Sequence, residues 1–352
     1  MTTRFRVGLA LSLLAAVALV LVYAIQRQPN VAGRGSGASA QSANLLPTDQ
    51  RPSAPELVGI DAWVNSPPLK SSELRGKVVL IDFWTYSCIN CLRTIPGLQH
   101  LNATYASRGL VIIGVHSPEF DFEKDLGNVK RAVQRDGVTW PVALDSEMAT
   151  WNAFQNTVWP AEFLIDQQGR IADATQGEGV EARTEADIAT LLQAPPPASA
   201  TAEPAPNAET PELYAGSDRG HLADGESYGH PDWTQTDPGA PHDNDHIQLV
   251  GSWHDAGQYV ESRSDGIIRL RFAAHKVFIV AGNASGSALN ARVTVDGHAV
   301  PTNQRGEDVS ASGAVAVSMQ TLYRVLSAQD PGHHLVEIRV PAGFRLYTFT
   351  FG

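Results

Sequence analysis

The chain has 352 residues, of which 43% are hydrophobic and 18% are charged, and its formal net charge is -11. Because a single hydrophobic core stops growing near about 250–300 residues, this length predicts two domains. The composition excludes a disordered chain and a polytopic membrane protein, and the acidic balance offers no basic surface to a nucleic acid.

An uncharged apolar segment opens the chain. Residues 7–25 carry no charge, Arg4 and Arg6 precede them, and Arg27 follows. About 20 apolar residues span a bilayer, and basic residues ahead of them favour a cytoplasmic amino terminus. Residues 1–27 are therefore predicted to anchor the chain in the cell membrane, with its domains on the periplasmic, extracytoplasmic side. A cleaved signal peptide, which would leave a secreted or periplasmic soluble protein, is the alternative.

Two stretches of biased composition divide the remainder. Residues 28–56 are rich in small and polar side chains, which predicts a flexible spacer. Residues 194–211 contain three consecutive prolines and many alanines, which is typical of a semi-rigid linker. Two folded units are therefore expected, at 57–193 and 212–352.

Short apolar runs alternate with helical patterns in the first unit. Cys91, Ile95, Leu98 and Leu101 recur at helical spacing after a continuous apolar run at 78–81. A helix is expected over 120–135, and further strands are expected at 110–115, 140–144, 163–166 and 170–172. Strands that alternate with helices predict an α/β fold, and the last two strands form a hairpin.

The second unit shows mainly strand patterns. Short alternating or aromatic-rich runs occur at 266–274, 276–281, 291–295, 335–340 and 344–351. Asp296 and Gly297 form a hairpin signal between two such runs. The pattern predicts an all-β antiparallel sandwich or jelly roll.

Only two cysteines occur, Cys88 and Cys91, and they stand where a strand gives way to a helix. Unpaired N–H groups and the helix dipole favour a thiolate at a helix amino terminus, so Cys88 is the candidate nucleophile. Cys91 lies one turn later and can attack a mixed disulfide on Cys88, so it is the candidate resolving thiol. The pair predicts a redox centre that needs no cofactor.

The cysteine pair has two alternative interpretations, a structural disulfide and a zinc site. A disulfide across about four residues constrains the unfolded chain by only roughly 2 kcal/mol, which makes it a poor structural bond. A zinc site would need two further ligands, from His100 or His116, because no second cysteine pair exists. Residues 242–246 also carry metal-ligand types, but a solvated loop is the favoured interpretation.

Residues 81–91, together with Pro96, resemble the thioredoxin superfamily, specifically its exported TlpA/ResA-like branch. The resemblance covers 57–193 and implies a thioredoxin fold, a mixed sheet flanked by helices. It also implies that Asp82 is a buried acid that exchanges a proton with Cys91, since desolvation raises a carboxyl pKa. The alternative is that Asp82 is an acid at a strand end whose hydrogen bonds are satisfied and which has no role in proton exchange.

Trp159 and Pro160 precede an apolar strand and resemble the family's cis-proline strand. The resemblance places Trp84, Trp159 and Pro160 in substrate binding, with an ordinary trans proline as the alternative. Because side chains alternate along a strand, Glu162 shares a face with Pro160. We expect Glu162 to be a second buried carboxylate that couples to Asp82 and tunes the pKa of Cys91; an acid facing water is the alternative.

The second unit resembles the carboxy-terminal domain of DipZ-like proteins, on residues 211–214 and 346–352, and residues 115–120 fit the same group. That resemblance implies a sandwich similar to a carbohydrate-binding module and a possible glycan partner. Candidate sugar-binding aromatics, for which core packing is the favoured alternative, are Trp233, Trp253, Tyr228 and Tyr259. DipZ-like proteins often carry an electron-importing membrane domain, so an external donor such as a CcdA-like transporter is expected here.

Together these features predict a thiol–disulfide oxidoreductase that acts on exported disulfide-containing proteins, and the family favours the reductase direction. Ile89 and Asn90 stand between the cysteines without a proline, so no redox potential is carried over. One alternative is a peroxiredoxin-like thiol peroxidase, because Thr85 stands three residues before Cys88, although Ile81 occupies a proline position of that motif. The other is a cell-envelope glycan-binding protein with a secondary redox domain.

Overall fold

A computed structural model describes residues 44–195, 210–223, 226–327, 330 and 332–352. The predicted anchor or signal peptide at 1–27, residues 28–43 of the spacer and residues 196–209 of the linker lie outside the described residues. Within the described ranges, no helix combines the length and hydropathy needed to cross a bilayer.

The first domain is a mixed sheet with helices on both faces, as predicted. Its strands are β1 (Ala62–Val64), β2 (Val78–Trp84), β3 (Leu110–His116), β4 (Val142–Leu144), β5 (Ala161–Ile165) and β6 (Ile171–Gln176). Its helices are α1 (Ile89–Tyr105), α2 (Leu126–Arg135), α3 (Ala149–Ala153) and α4 (Glu181–Leu191). The strand order is β1-β4-β3-β2-β5-β6, with β2, β3 and β4 parallel and β5 and β6 a hairpin. The thioredoxin fold is confirmed.

Strand β2 lies in the middle of this sheet, and all seven of its residues are buried. Its side chains alternate between two cores, as the period of a strand requires. Leu80 and Trp84 face the core that contains α1, whereas Ile81 and Phe83 face the core that contains Trp151. Asp82 therefore points toward α1, the helix that begins at the cysteines.

The helix expected over 120–135 is interrupted. A 3₁₀ turn covers Asp121–Lys124, Asp125 is extended, and α2 begins only at Leu126. The carboxylate of Asp125 accepts a hydrogen bond from the Asn128 amide at 2.8 Å, so it acts as the amino-terminal cap. The capping preference of aspartate overrides the helical pattern there, and the turn directs Glu123 into the interior, where it is fully buried.

The spacer predicted at 28–56 ends earlier than expected, because residues 44–56 pack on the first domain. The Leu46 amide donates to the Ala172 carbonyl at 2.8 Å, and Ser53 pairs with Arg170. Arg51 forms an ion pair with the buried Asp166 at 3.2 Å. These long-range partners, which composition does not reveal, order a segment rich in proline and polar residues.

In the described part of the second domain, twelve strands form one antiparallel, strongly curled sheet. They are β7 (Leu213–Tyr214), β8 (Asp232–Gln235), β9 (Gln248–Asp255), β10 (Val260–Ser262), β11 (Gly266–Ala273), β12 (Lys276–Asn283), β13 (Leu289–Val295), β14 (His298–Ala299), β15 (Ala314–Val317), β16 (Thr321–Ser327), β17 (His333–Val340) and β18 (Phe344–Phe351). The all-β prediction is confirmed, whereas the resemblance to a carbohydrate-binding module is not.

The aromatics considered for sugar binding take different positions. Trp253 is fully buried, and Trp233 and Tyr228 pack against the second core. Tyr259 instead lies against Tyr347, with ring centroids 4.9 Å apart. Core packing therefore accounts for the first three.

The two domains share an apolar interface. On β12, Val277 and Ile279 point into the second domain's own core, whereas Phe278 and Val280 join the core of the first domain. This strand is therefore buried on both faces, which explains its continuous apolar sequence.

An aromatic cluster lies in the middle of the interface. Tyr347 of β18 is 2% exposed, and its ring centroid lies 5.2 Å from that of Phe120 and 4.7 Å from that of Phe122. Arg135 of α2 adds a hydrogen bond of 2.9 Å to Thr321 of β16. The second domain is thus packed against the 3₁₀ turn that follows β3.

Replacing Tyr347 with alanine should weaken both domains together. Truncation of a buried aromatic side chain costs about 3–5 kcal/mol, so the denaturation midpoint of Tyr347→Ala should fall clearly below that of the wild type. Met319→Ala is the control, because Met319 is 45% exposed and its loss should change stability by less than about 0.5 kcal/mol. Equal midpoints for the two variants would contradict this account of the interface.

Candidate active site

The cysteine pair occupies the turn between β2 and α1. Cys88 is the amino-terminal cap of α1, and its sulfur accepts a hydrogen bond from the Cys91 amide at 3.3 Å. Cys88 is partly exposed, whereas Cys91 is 1% exposed, and both are free thiols in this structure. An amide directed at the sulfur stabilises negative charge there, and the exposure gives a partner access to Cys88.

Cys91 is held in its protonated form. Burial raises the pKa of the Cys91 thiol well above its usual value, and the hydrogen bond with Cys88 and the charge of that residue raise it further. A hydrogen bond involving the Thr85 backbone acts in the opposite direction. Cys91 therefore needs a base before it can attack, which fits a resolving role.

Asp82 lies beneath the cysteines without a full set of partners. It is 2% exposed, and in the described part of the chain its Oδ1 atom has no hydrogen-bond partner. Burial raises the pKa of the Asp82 carboxyl well above its usual value, and the charge of Glu162 adds to the effect. The charge of Asp82 in turn raises the pKa of Cys91, so the two groups compete for a proton.

Glu162 stands directly opposite Asp82 in the pairing of β5 with β2. It is 4% exposed and accepts a hydrogen bond of 2.7 Å from the Thr184 hydroxyl. Burial raises the pKa of the Glu162 carboxyl to about 7, the Thr184 bond lowers it, and the charges of Glu181 and Asp173 raise it. Two acids thus share one buried face of the sheet, and the water-facing alternative does not apply.

The turn before β5 reaches the same edge of the sheet as the cysteine turn, because Phe83 pairs with Ala161 in antiparallel register. The Trp159–Pro160 peptide bond is cis, as predicted. The Trp159 indole donates to the Ser117 carbonyl at 3.0 Å, and its ring lies 4.3 Å from that of Trp151. Trp159 remains half-buried, whereas Pro160 is buried.

Trp84, predicted to contact substrate, lies instead in the core. It is 2% exposed, and its ring packs perpendicular to that of His116, with the ring centroids 5.5 Å apart. A Cβ atom at Gly114 would lie 2.8 Å from the Trp84 Nε1 atom, so the glycine makes room for the indole. Strand periodicity places Trp84 on the buried α1 side of β2, out of reach of a partner at the surface.

Four further residues surround the cysteine turn; the sequence selected none of Tyr86, Ser87 and Glu123, and considered His116 only as a zinc ligand. The Ser87 hydroxyl donates to Glu123 at 2.5 Å, and Tyr86 stacks on His116 with centroids 5.6 Å apart. All four are buried. The motif at 115–120 indicated this region. The burial of Glu123 could not be predicted from a helical or strand pattern, because Glu123 belongs to a single 3₁₀ turn.

The second domain also touches the site directly. Arg93 of α1 donates to the Asn90 side chain at 3.1 Å and to the Phe351 carbonyl at 3.0 Å. The Tyr86 hydroxyl lies 3.5 Å from the Gln320 carbonyl. Among the described residues, no group of three or more histidine, cysteine or acidic side chains is arranged for a metal ion.

Comparisons with known proteins match both domains. Residues 50–192 match the family described as Redoxin, and residues 210–352 match the family described as Thioredoxin like C-terminal domain. The thiol-disulfide oxidoreductase YkuV of Bacillus subtilis is 31% identical over 117 residues, which cover 33% of this chain and 78% of YkuV. The chain belongs to the thioredoxin superfamily of thiol–disulfide oxidoreductases.

Protein DipZ of Mycobacterium tuberculosis matches across both domains of this oxidoreductase. It is 34% identical over 348 residues, which cover 93% of this chain and 47% of DipZ. The chain therefore spans about half the length of that relative. Among solved structures, a thiol-disulfide isomerase from Corynebacterium glutamicum is 26% identical with a TM-score of 0.36, over 40% of this chain and 96% of its own.

Asp82→Asn should stabilise the oxidoreductase at alkaline pH. A carboxyl whose pKa is raised by folding contributes stability at acid pH and loses it as the pH rises through its folded pKa. The variant, which cannot ionise there, should exceed the wild type by roughly 1–3 kcal/mol at pH 8, the usual cost of an unsatisfied buried polar group. The difference in the free energy of unfolding should disappear toward pH 4. Denaturant unfolding from pH 4 to 8 measures it, and a difference independent of pH would contradict a raised pKa for Asp82.

Proposed function

We propose that this protein reduces disulfides in exported proteins through the Cys88-Ile89-Asn90-Cys91 centre. The observation that carries the proposal is the asymmetry of the pair: Cys88 is accessible and accepts an amide N–H, whereas Cys91 is buried beside Asp82. An exposed nucleophile with a protected resolving thiol suits exchange with a large partner.

In the first step, the Cys88 thiolate attacks one sulfur of the client disulfide. A mixed disulfide forms, and the other client sulfur leaves as a thiolate that takes a proton from solvent. Cys91 then gives its proton to the Asp82 carboxylate and attacks the Cys88 sulfur. The second client sulfur leaves, and the client has gained two electrons while Cys88 and Cys91 form a disulfide.

The proposal extends to location and electron supply. The apolar run at 7–25 and its basic flanks support a membrane-anchored, extracytoplasmic protein, with a cleaved signal peptide as the second form. Regeneration of the two thiols then requires an electron-donating membrane protein, for which a CcdA-like transporter has the right chemistry. A phosphatase reporter fused after residue 43 should be active only if this orientation holds.

A second candidate function is glycan binding by the second domain. Its one supporting observation is an open cleft of about 380 Å³ at the domain interface, lined by Tyr259, Tyr347, Phe122 and Gln320 among others. Tyr259 is the partly exposed ring of this cleft, and an aromatic ring with a polar hydroxyl suits a ligand that has both apolar and polar faces. Binding to cell-envelope glycans together with inert cysteines would favour this function over disulfide exchange.

Cys91→Ser in the full-length chain should accumulate mixed disulfides with client proteins, because the resolving thiol is missing. Cys88→Ser is the matched control and should accumulate none, since the remaining thiol is buried. Nonreducing electrophoresis followed by mass spectrometry measures both. Equal trapping by the two variants would reject the assigned roles, and rapid peroxide consumption by the wild type would favour a thiol peroxidase.

Glu162→Gln should shift the resolving step to lower pH. Because the charge of Glu162 raises the pKa of Asp82, its removal lets Asp82 ionise and accept the Cys91 proton at lower pH, by about one unit. Single-turnover release of client thiol, followed from pH 5 to 9, measures the midpoint. Glu147→Gln is the control, because the Glu147 side chain is 78% exposed. An unchanged midpoint in Glu162→Gln would reject the coupling.

A further inference from the structure

A further buried carboxylate, besides Asp82 and Glu162, is bonded to the cysteine turn. Glu123 belongs to the 3₁₀ turn Asp121–Lys124 and has no exposed surface. Its Oε1 atom accepts the hydroxyl of Ser87 at 2.5 Å. Its Oε2 atom accepts the amides of Glu119 at 2.6 Å and Phe120 at 3.0 Å. One side chain therefore joins the residue before Cys88 to the loop that follows β3.

We propose that Glu123 is a positioning residue that acts through Ser87 on the turn carrying Cys88, so that the ionisation of Glu123 changes the rate of thiol attack. The inference rests on the proposed exchange function and adds a control on the nucleophile. It is separate from the Asp82 and Glu162 pair, which faces Cys91 from the sheet.

The bonds of Glu123 suit both of its protonation states. When it is ionised, both oxygens accept hydrogen bonds, and its negative charge opposes a second negative charge on the sulfur of Cys88, the residue that follows Ser87. When it is protonated, its O–H donates to Ser87, and the two amides keep their acceptor. Protonation therefore removes a charge that is bonded to the residue before Cys88 and reverses one hydrogen bond while the turn stays in place.

The surroundings keep this ionisation near neutral pH. Burial raises the pKa of Glu123 to about 7, the charge of Glu119 raises it, and hydrogen bonds from Ser87 and Thr85 lower it. The Thr85 hydroxyl oxygen also lies 3.3 Å from the Nε2 atom of His116, and burial lowers the pKa of that histidine to about 3. The histidine is thus neutral and supplies no compensating cation.

Other charged groups near this turn contact the neighbours of Glu123, chiefly Glu119. Glu119 bonds to Arg219 at 2.9 Å and to the Tyr214 hydroxyl at 2.8 Å, and that hydroxyl also contacts Glu212.

Tyr86, next to Ser87, has its pKa raised well above the usual value by burial and by the charge of Glu123, so it stays neutral. Asp121 and Lys124 pair with each other at 3.0 Å on the exposed side of the turn.

The rate of Cys88 alkylation in the reduced full-length protein tests the proposal directly, from pH 5 to 9. A small alkylating reagent is used, and mass spectrometry identifies the modified cysteine. The wild type should show an inflection near pH 7 beyond the ionisation of the thiol itself. Glu123→Gln should lose that inflection and react about 3- to 10-fold faster at pH 8, because a neutral amide no longer opposes the thiolate. Glu147→Gln should match the wild type.

Ser87→Ala gives a second, independent readout. It keeps the carboxylate but removes both the contact through which Glu123 acts and a hydrogen bond that lowers the pKa of Glu123, so the inflection should become smaller and move to higher pH. If Glu123→Gln fails to fold, this shift alone decides. A wild-type profile with a single ionisation, or an inflection left unmoved by Ser87→Ala, would overturn the proposal. Because alkylation needs no client, these outcomes are distinct from a failure of client reduction.

Discussion

The packing of the second domain against the segment that follows β3 is the contact on which the rest of the structure depends. Tyr347 packs on Phe120, which precedes the 3₁₀ turn, and on Phe122, which lies within the turn that directs Glu123 inward. The same turn holds the cysteine loop through Ser87. The geometry around the nucleophile is therefore set by both domains, although both cysteines belong to the first.

Charge burial gives the site its chemistry. Asp82 and Glu162 share one face of the sheet, and Glu123 accepts a hydrogen bond from Ser87 of the cysteine turn. Each carboxyl is desolvated, so each has a raised pKa, and the pKa values of Glu162 and Glu123 are raised to about 7. The stability lost by burying these groups is consistent with a functional role, since an apolar core would not require them.

Much of the first domain could be predicted from sequence, because its signals are local. Continuous apolar runs mark β2 and β3, and the cysteine pair and Asp82 stand at fixed positions beside them. Glu123 could not be found in this way, because a capping aspartate, Asp125, breaks the expected helix and redirects it. Trp84 was assigned to substrate binding by the family resemblance, and the space at Gly114 that accommodates its indole in the core comes from a strand remote in sequence. Residues 44–56 are tied to the first domain by partners more than 100 positions away, such as Asp166 for Arg51.

Strand β12 carries apolar side chains on both of its faces, one set for each domain. A fragment cut at the linker would leave Phe278 and Val280 in water on one piece and uncover Phe120 and Phe122 on the other. Such surfaces favour self-association over solubility. The first domain prepared by itself would therefore lose the contacts that the second domain makes beside the cysteine turn, such as those of Tyr86 with Gln320 and of Arg93 with Phe351.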